Sequence, residues 1–221
     1  MIHVVLCDDH AVLRRGIRDT LTEATDIQVT GEAGGYSELR EVLRTAACDV
    51  LLLDLNMPGT RGFSALVHLR AQHPELPIVM VSAREEPLVM RRALDHGALG
   101  FIPKSTDADT LGKALLRVLE GDRWVPEAVA GATPASRDEQ DAAARVRELT
   151  PQQFHVLQML GAGLLNKQMA FELAVSEATI KAHMTAILRK LGASNRTQAV
   201  LIAGRLAVDP DQVIPPDDEG N

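Results

Sequence analysis

The chain has 221 residues, 46% hydrophobic and 24% charged, with a formal net charge of −7. That is enough for one large or two small domains of ordinary globular composition, and no apolar stretch reaches the roughly 18 residues that span a bilayer. The N-terminus lacks a basic region and the layout of a signal peptide, so a cytoplasmic protein with no membrane partner is expected. In chain order, the first apolar run, IHVVLC, is followed by Asp8 and Asp9. Short Val-, Ile- and Leu-rich runs bounded by turn signals read as buried parallel strands. A helical pattern through Val12, Ile17 and Leu21 comes next, then a short strand near Ile27 to Glu32 that ends at Gly34-Gly35, then a helix near Ser37 to Thr45. The run DVLLLD ends on Asp54, and the loop MPGTRG follows, broken by Pro58 and Gly59. Helices near Phe63 to Ala71 and Pro87 to His96 precede the runs PIVMVS, ending at Ser82, and LGFIPK, ending at Lys104. A helix near Asp107 to Leu119 closes the alternation. Five strands alternating with five helices predict an α/β doubly wound parallel sheet of flavodoxin-like type. Cys7 and Cys48 sit in or beside apolar runs, with no ligand spacing, and read as buried thiols.

From Glu120 the pattern decays, and residues 121–146 read as a linker with a short helix near Pro126 to Ala130 and another before Leu149. From Leu149 the periodicity is helical throughout. Thr150-Pro151 caps a helix striped with Leu157, Leu160 and Leu164; Asn166 opens a second; Ser176 caps a third. A fourth runs near Arg196 to Arg205. Two short helices joined by a tight turn, the second well capped, read as a helix-turn-helix within a small four-helix all-α domain. Between Arg147 and Leu206 seven basic residues face three acidic ones, so this segment is basic although the chain is acidic. The tail, 207–221, is acidic and Pro-containing and is expected to be disordered.

In an open parallel sheet the ligand crevice lies outside the carboxyl ends of the strands. Asp8, Asp9, Asp54, Ser82 and Lys104 all fall there. A carboxylate can attack a phosphoryl group, and what such transfer needs is positioning and charge neutralisation. Asp54, ending the central strand, is the nucleophile candidate. Asp8 and Asp9 are metal-side candidates for a hard, oxygen-preferring ion such as Mg²⁺, and Ser82 and Lys104 hold the remaining phosphoryl oxygens. Taken singly, Asp8-Asp9 as a helix cap and Lys104 as a surface ion pair are the plainer readings; five such residues at strand ends favour the pocket.

On VVLCDDH, LLLDLNMPG, VMVSA and GFIPK, residues 1–120 resemble the receiver domain of bacterial two-component response regulators. The resemblance implies that Asp54 accepts phosphate from a sensor histidine kinase. It implies that Asp9, Asp54 and the backbone carbonyl of Asn56 hold Mg²⁺, with Asp8 acting through water. Ser82 and Phe101 would be switch residues and Lys104 would pair with the phosphoryl group; Phe101 reads equally well as a core ring on an edge strand. Asn56 and Arg84, two residues beyond Asp54 and Ser82, border the pocket.

In the third C-terminal helix, Ile180, Met184, Ile187 and Leu191 share one face, while Ala178, Lys181, Ala182, Thr185 and Arg189 share the other. The second face is small, polar and basic; such a face can enter a DNA major groove, an ordinary solvated face being the plainer reading of the stripe alone. Lys167, His183, Lys190 and the helix N-terminus, with Thr179, are placed for phosphates. LTPQQFHVLQML and GLLNKQMAFELAVSEATIKAHMTAILRKLGASNRTQAV, within residues 147–206, are similar to the LuxR-type helix-turn-helix, and the whole resembles the NarL/FixJ group. The resemblance implies a regulator, not a metabolic enzyme. Phosphorylation would control dimerisation, through the Arg196 to Arg205 helix, and sequence-specific binding of double-stranded DNA, with RNA polymerase as a further partner. Gln152-Gln153 departs from the usual Arg-Glu after Thr150-Pro151 and is expected to weaken a bracing contact. An aspartate-dependent phosphatase would want a second carboxylate two residues after its nucleophile, where Asn56 stands. A regulator answering to a ligand instead of phosphate, and a nicotinamide-binding domain, which lacks its GxGxxG here, are the remaining alternatives.

Overall fold

The computed structural model describes residues 1–24, 27–58 and 60–209, which form two compact units, Met1–Thr60 with Gln72–Ala135 and Arg61–Ala71 with Ser136 onward. The acidic tail expected to be disordered lies outside the described residues from 210 on; 205–206 follow the last helix as turn and 207–209 as bend.

Strands β1 (Ile2–Cys7), β2 (Ile27–Ala33), β3 (Val50–Asp54), β4 (Ile78–Ser82) and β5 (Gly100–Pro103) form one parallel sheet in the order β2-β1-β3-β4-β5. Helices α1 (Ala11–Ala24), α2 (Tyr36–Thr45), α3 (Ser64–Gln72), α4 (Pro87–Asp95) and α5 (Ala108–Leu119) alternate with the strands. This is the doubly wound α/β arrangement that the apolar runs predict. Alternation along each strand splits the core. Val4, Leu6, Val50, Leu52, Val79, Val81 and Ile102 pack with Leu111, Ala114, Leu115 and Val118 of α5 and with Leu21 of α1. On the opposite face Val5, Leu51, Leu53, Met80 and Phe101 are buried. Phe101 is therefore a fully buried ring on an edge strand.

That edge is not bare. Trp124 N–H donates to the Leu99 carbonyl and Phe101 N–H to the Trp124 carbonyl, at 2.9 and 3.3 Å. The segment thereby occupies hydrogen-bonding groups that an exposed edge would offer to another chain. A Cβ at Gly100 would come within 3.2 Å of the Trp124 Cβ, so this close approach favours glycine. In the Gly34-Gly35 loop the Gly34 N–H donates to the Glu38 carboxylate at 2.6 Å. Cys7 is a buried free thiol, whereas Cys48 is only half-buried, correcting its expected burial.

In the second unit α6 (Arg137–Arg147), α7 (Pro151–Gly161), α8 (Asn166–Glu172), α9 (Glu177–Leu191) and α10 (Arg196–Gly204) follow one another. The helix expected before Leu149 is thus three turns long, capped by Ser136, and the short helix expected near Pro126 to Ala130 is a single 3₁₀ turn, Glu127–Val129. Within this unit the His68 ring of α3 stacks on Phe154, centroids 4.1 Å apart. The α8–α9 connection is tight because Ala174 takes a left-handed conformation, φ 51°. Ser176 caps α9 through Thr179 N–H, and Gly192, φ 63°, ends it.

Candidate functional site

The sheet register brings the predicted residues together. Cys7 pairs with Leu53, Asp54 with Val81, and Ser82 with Pro103, so β1, β3, β4 and β5 end at one level. The residues that cap these strands, Asp8, Asp54, Ser82 and Lys104, therefore surround one crevice, as the rule for parallel sheets requires. Asp8, Asp54 and Ser82 are buried, Ser82 completely. Asp9 and Asn56 are exposed at its rim.

Lys104 Nζ lies 2.6 Å from Asp8 Oδ2 and 3.0 Å from Asp54 Oδ2. Its ammonium is ion-paired with both carboxylates, and the Asn56 backbone N–H also bears on Asp54, although strict hydrogen-bond geometry is not met at Asp8 Oδ2 or the Asp54 oxygens. Burial pushes the Asp54 carboxyl above its ordinary pKa, Asp8's charge adds to this, and the nearby ammonium pulls it back. For Lys104, burial works against the charged form, but the two carboxylates outweigh it and hold its pKa above the ordinary lysine value. Ser82 Oγ accepts the Arg84 N–H at 3.1 Å, which fixes the hydroxyl toward the loop leaving β4. Two buried carboxylates beside a further, exposed one suit a hard divalent cation that takes oxygen ligands and keeps several waters.

One residue in this pocket escaped the sequence reading. Asp8, Asp9, His10 and Asp54 each place one ligand atom within 4.8 Å of the others. His10 Nδ1 is 2.6 Å from Asp9 Oδ1 and 3.2 Å from Asp8 Oδ1. The only sequence signal was its position directly after the acidic pair.

Cys7, next to Asp8, is not a rival nucleophile. Burial, with the charges of Asp54 and Asp8, pushes its thiol far above the ordinary range. The Cys48 thiol is pushed up to about 11, again mainly by burial.

On α9 the two faces fall as the spacing predicts. Ile180, Met184, Ile187 and Leu191 are buried, while Ala178, Lys181, Ala182, Thr185 and Arg189 are exposed. Lys167 is exposed on α8; Thr179 and His183 are half-buried. The Thr185 hydroxyl donates to the Lys181 carbonyl at 3.0 Å, leaving its oxygen lone pairs and methyl outward. Lys190 behaves differently from its neighbours. Its ammonium donates to the Glu148 carbonyl at 2.8 Å and to Gln153 Oε1 at 2.7 Å, so a DNA phosphate would have to displace these bonds. Gln153 also completes a capping box with Thr150. The amide thus makes the bracing contact that the departure from Arg-Glu put in doubt, but without a charge.

Comparison with known proteins follows the same division. A response regulator receiver domain model matches residues 4–116, and a model of bacterial regulatory proteins of the luxR family matches residues 147–203. The chain is 36% identical over 211 residues to a glycerol metabolism activator of Pseudomonas putida, covering 92% of this chain and 96% of that protein. It is 35% identical over 202 residues to the nitrate/nitrite response regulator protein NarL of Escherichia coli K12, covering 90% and 93%. Among solved structures, RcsB from Salmonella enterica serovar Typhimurium bound to promoter rprA with the phosphomimetic BeF₃⁻ aligns at TM-score 0.56 and 25% identity, over 94% of this chain and all of that one.

Proposed function

The chain belongs to the two-component response regulators that join a receiver domain to a LuxR-type DNA-binding domain, and from that premise we propose that phosphorylation of Asp54 controls its binding to DNA. The observation that carries this reading is the convergence of Asp8, Asp9, Asp54, Ser82 and Lys104 at the aligned ends of four strands. An Asp54 oxygen attacks the phosphorus of a kinase phosphohistidine; the P–O bond forms as the P–N bond breaks, and the departing imidazole keeps the bonding pair and takes up a proton. Asp8, Asp9, Asp54 and the backbone carbonyl of Asn56 would hold Mg²⁺, which neutralises charge on the transferring oxygens. Lys104 exchanges a carboxylate partner for a phosphoryl oxygen, and Ser82 donates to another. Receiver, linker and DNA-binding segments are assigned to 1–120, 121–146 and 147–206.

The exposed face of α9 reads the major groove. Lys181 donates to base edges, Ala182 and the Thr185 methyl contact thymine methyls, and Thr179, Lys167, His183 and Arg189 approach phosphates. Phosphorylation shifts a pre-existing equilibrium toward a dimer on two half-sites, with α10 as the pairing helix and RNA polymerase as a further partner. The test is selection from a randomised duplex pool, with and without beryllofluoride and Mg²⁺. A two-fold-related motif enriched only with the mimic supports coupling of the two functions. Equal enrichment without it refutes control by Asp54. Acetyl-phosphate labelling that survives in Asp54→Asn would refute the phosphoacceptor assignment itself.

A further inference from the structure

The segment that closes the β5 edge is fastened to more than that edge. Three contacts hold residues 124–135 within the first unit. Trp124 bridges Gly100 in parallel register, its N–H donating to Leu99 and its carbonyl accepting from Phe101. The 3₁₀ turn that follows packs against α4 and buries Val129. The Ala135 N–H then donates to Asp95 Oδ2 at 2.8 Å. Asp95 is the last residue of α4, and its other oxygen pairs with Arg91 at 2.9 Å. Protection of a strand edge needs the first contact alone. The other two tie the same strap to α4, so its fit depends on how α4 and β5 lie against each other. Most residues between the three contacts are exposed, and a segment with few buried contacts opens locally at low cost. The chain runs directly from Ala135 into Ser136, the cap of α6.

The same two elements adjoin the crevice. The Lys104 N–H donates to the Ser82 carbonyl at 2.8 Å, and Ser82 pairs with Pro103, so the ends of β4 and β5 are joined. When Asp54 carries a phosphoryl group, Lys104 trades a carboxylate for a phosphoryl oxygen, which bears on β5. Ser82 turns from accepting the Arg84 N–H to donating, and Arg84 lies in the loop that leads into α4. We infer that the 124–135 strap is a coupling device: it is fastened across α4 and β5 while Asp54 is unmodified, and it is released at Trp124 and Ala135 on phosphorylation, which frees the lead-in to α6. Asp95 is its positioning residue. The inference rests on the reading of Asp54 as the phosphoacceptor, and the test separates the two. Linkage supplies the discriminating readout: whatever loosens the strap must tighten binding at Asp54 by the same factor.

The full-length protein is titrated with beryllofluoride at fixed Mg²⁺, as wild type, Asp95→Ala, Asp95→Asn and Val129→Ser. Fluorine NMR measures beryllofluoride affinity, acrylamide quenching of the single tryptophan reports release at Trp124, and hydrogen exchange reports the Ala135 amide. In the wild type, quenching and Ala135 exchange are expected to rise with the mimic. Asp95→Ala is expected to show both rises without the mimic and to bind beryllofluoride about fivefold or more tightly than wild type. Val129→Ser, which loosens the strap at a separate contact, is expected to do the same. Asp95→Asn loses the ion pair but keeps an acceptor for the Ala135 N–H, and is expected to stay near wild type. Wild-type quenching and exchange indifferent to the mimic overturn the inference and leave the phosphoacceptor reading standing. So do Asp95→Ala and Val129→Ser proteins that loosen the strap without changing beryllofluoride affinity, since the segment is then an edge cover only. Failure of the wild type to bind beryllofluoride overturns the reading of Asp54 and the inference with it.

Discussion

Lys104 is a residue whose loss the structure makes costly. Its ammonium, only 15% exposed, is in contact with two carboxylates that are 5% and 1% exposed. Lys104→Met keeps an unbranched chain of similar length and removes the charge. Asp8 and Asp54 then face each other across at most 4.8 Å without a cation between them. At an effective dielectric of about 20 that repulsion is at least about 3.5 kcal/mol, and loss of one member of a buried ion pair commonly costs about 3–5 kcal/mol. Protonation sets a ceiling. Once the Asp54 pKa reaches 7 the group neutralises itself, and raising a carboxyl from about 3.9 to 7 costs about 4 kcal/mol. A loss of about 3–4 kcal/mol in the metal-free receiver unit at pH 7 is therefore expected.

The sign with pH follows. Burial already raises the folded pKa of Asp54, and removing Lys104 raises it further. For a carboxyl raised in the folded state, the penalty is full above the folded pKa and vanishes below the unfolded value of about 3.9. The variant should therefore approach wild-type stability as pH falls from 7 toward 4. Urea unfolding with EDTA measures this. Trp124, the single tryptophan, packs against the core of the first unit and reports on it. Asp54→Asn in the Lys104→Met background should recover most of the loss. A Lys104→Met loss below about 1 kcal/mol at pH 7, or one equally large at pH 4, would refute the argument.

Three further outcomes are expected. Ser176→Ala removes the Thr179 N–H acceptor that starts α9 and should destabilise the helical unit by about 1 kcal/mol in thermal unfolding; a midpoint equal to wild type would contradict the cap. Lys181→Ala should weaken specific DNA binding by about 1–3 kcal/mol, and footprints unchanged in pattern and midpoint would remove Lys181 from base readout. Gln153→Glu places a carboxylate where the amide oxygen now meets Lys190 at 2.7 Å. It should stabilise the helical unit by roughly 0.2–1 kcal/mol, with the gain shrinking as salt is raised; a gain indifferent to salt would mean that the new charge does not pair with Lys190.

What was legible in the chain follows from periodicity. Four of the five strands, β1, β3, β4 and β5, are largely apolar runs that end on or are followed by a polar residue, and such runs fix both the sheet and the level at which Asp8, Asp54, Ser82 and Lys104 emerge. The buried face of α9 is likewise a repeat of three and four residues, so Ile180, Met184, Ile187 and Leu191 point inward without any knowledge of partners. Helix α6 was harder to read at its full length because Ala142, Ala143 and Val146 are its only buried apolar residues. The Trp124 bridge on the β5 edge is a backbone contact, and backbone pairing leaves little trace in side-chain pattern.

The partners that pattern does not reveal at the sites share a different cause. Lys190 looks like a phosphate contact because it is basic and stands beside Arg189, but its two acceptors, Glu148 and Gln153, lie 42 and 37 residues earlier in the chain. Gln153 looks like a weakened brace because a neutral amide replaces an acid, yet its single oxygen accepts both the Thr150 N–H and the Lys190 ammonium. His10 has no signal beyond its position; the turn that returns its N–H to Asp8 brings its ring to the acidic pair. In each case composition names the chemical group and the fold chooses its partner. Residues that act through the sheet are readable because strand ends are set by local pattern. Residues that act through a turn or a distant helix are not, because their partners are selected by closure of the chain.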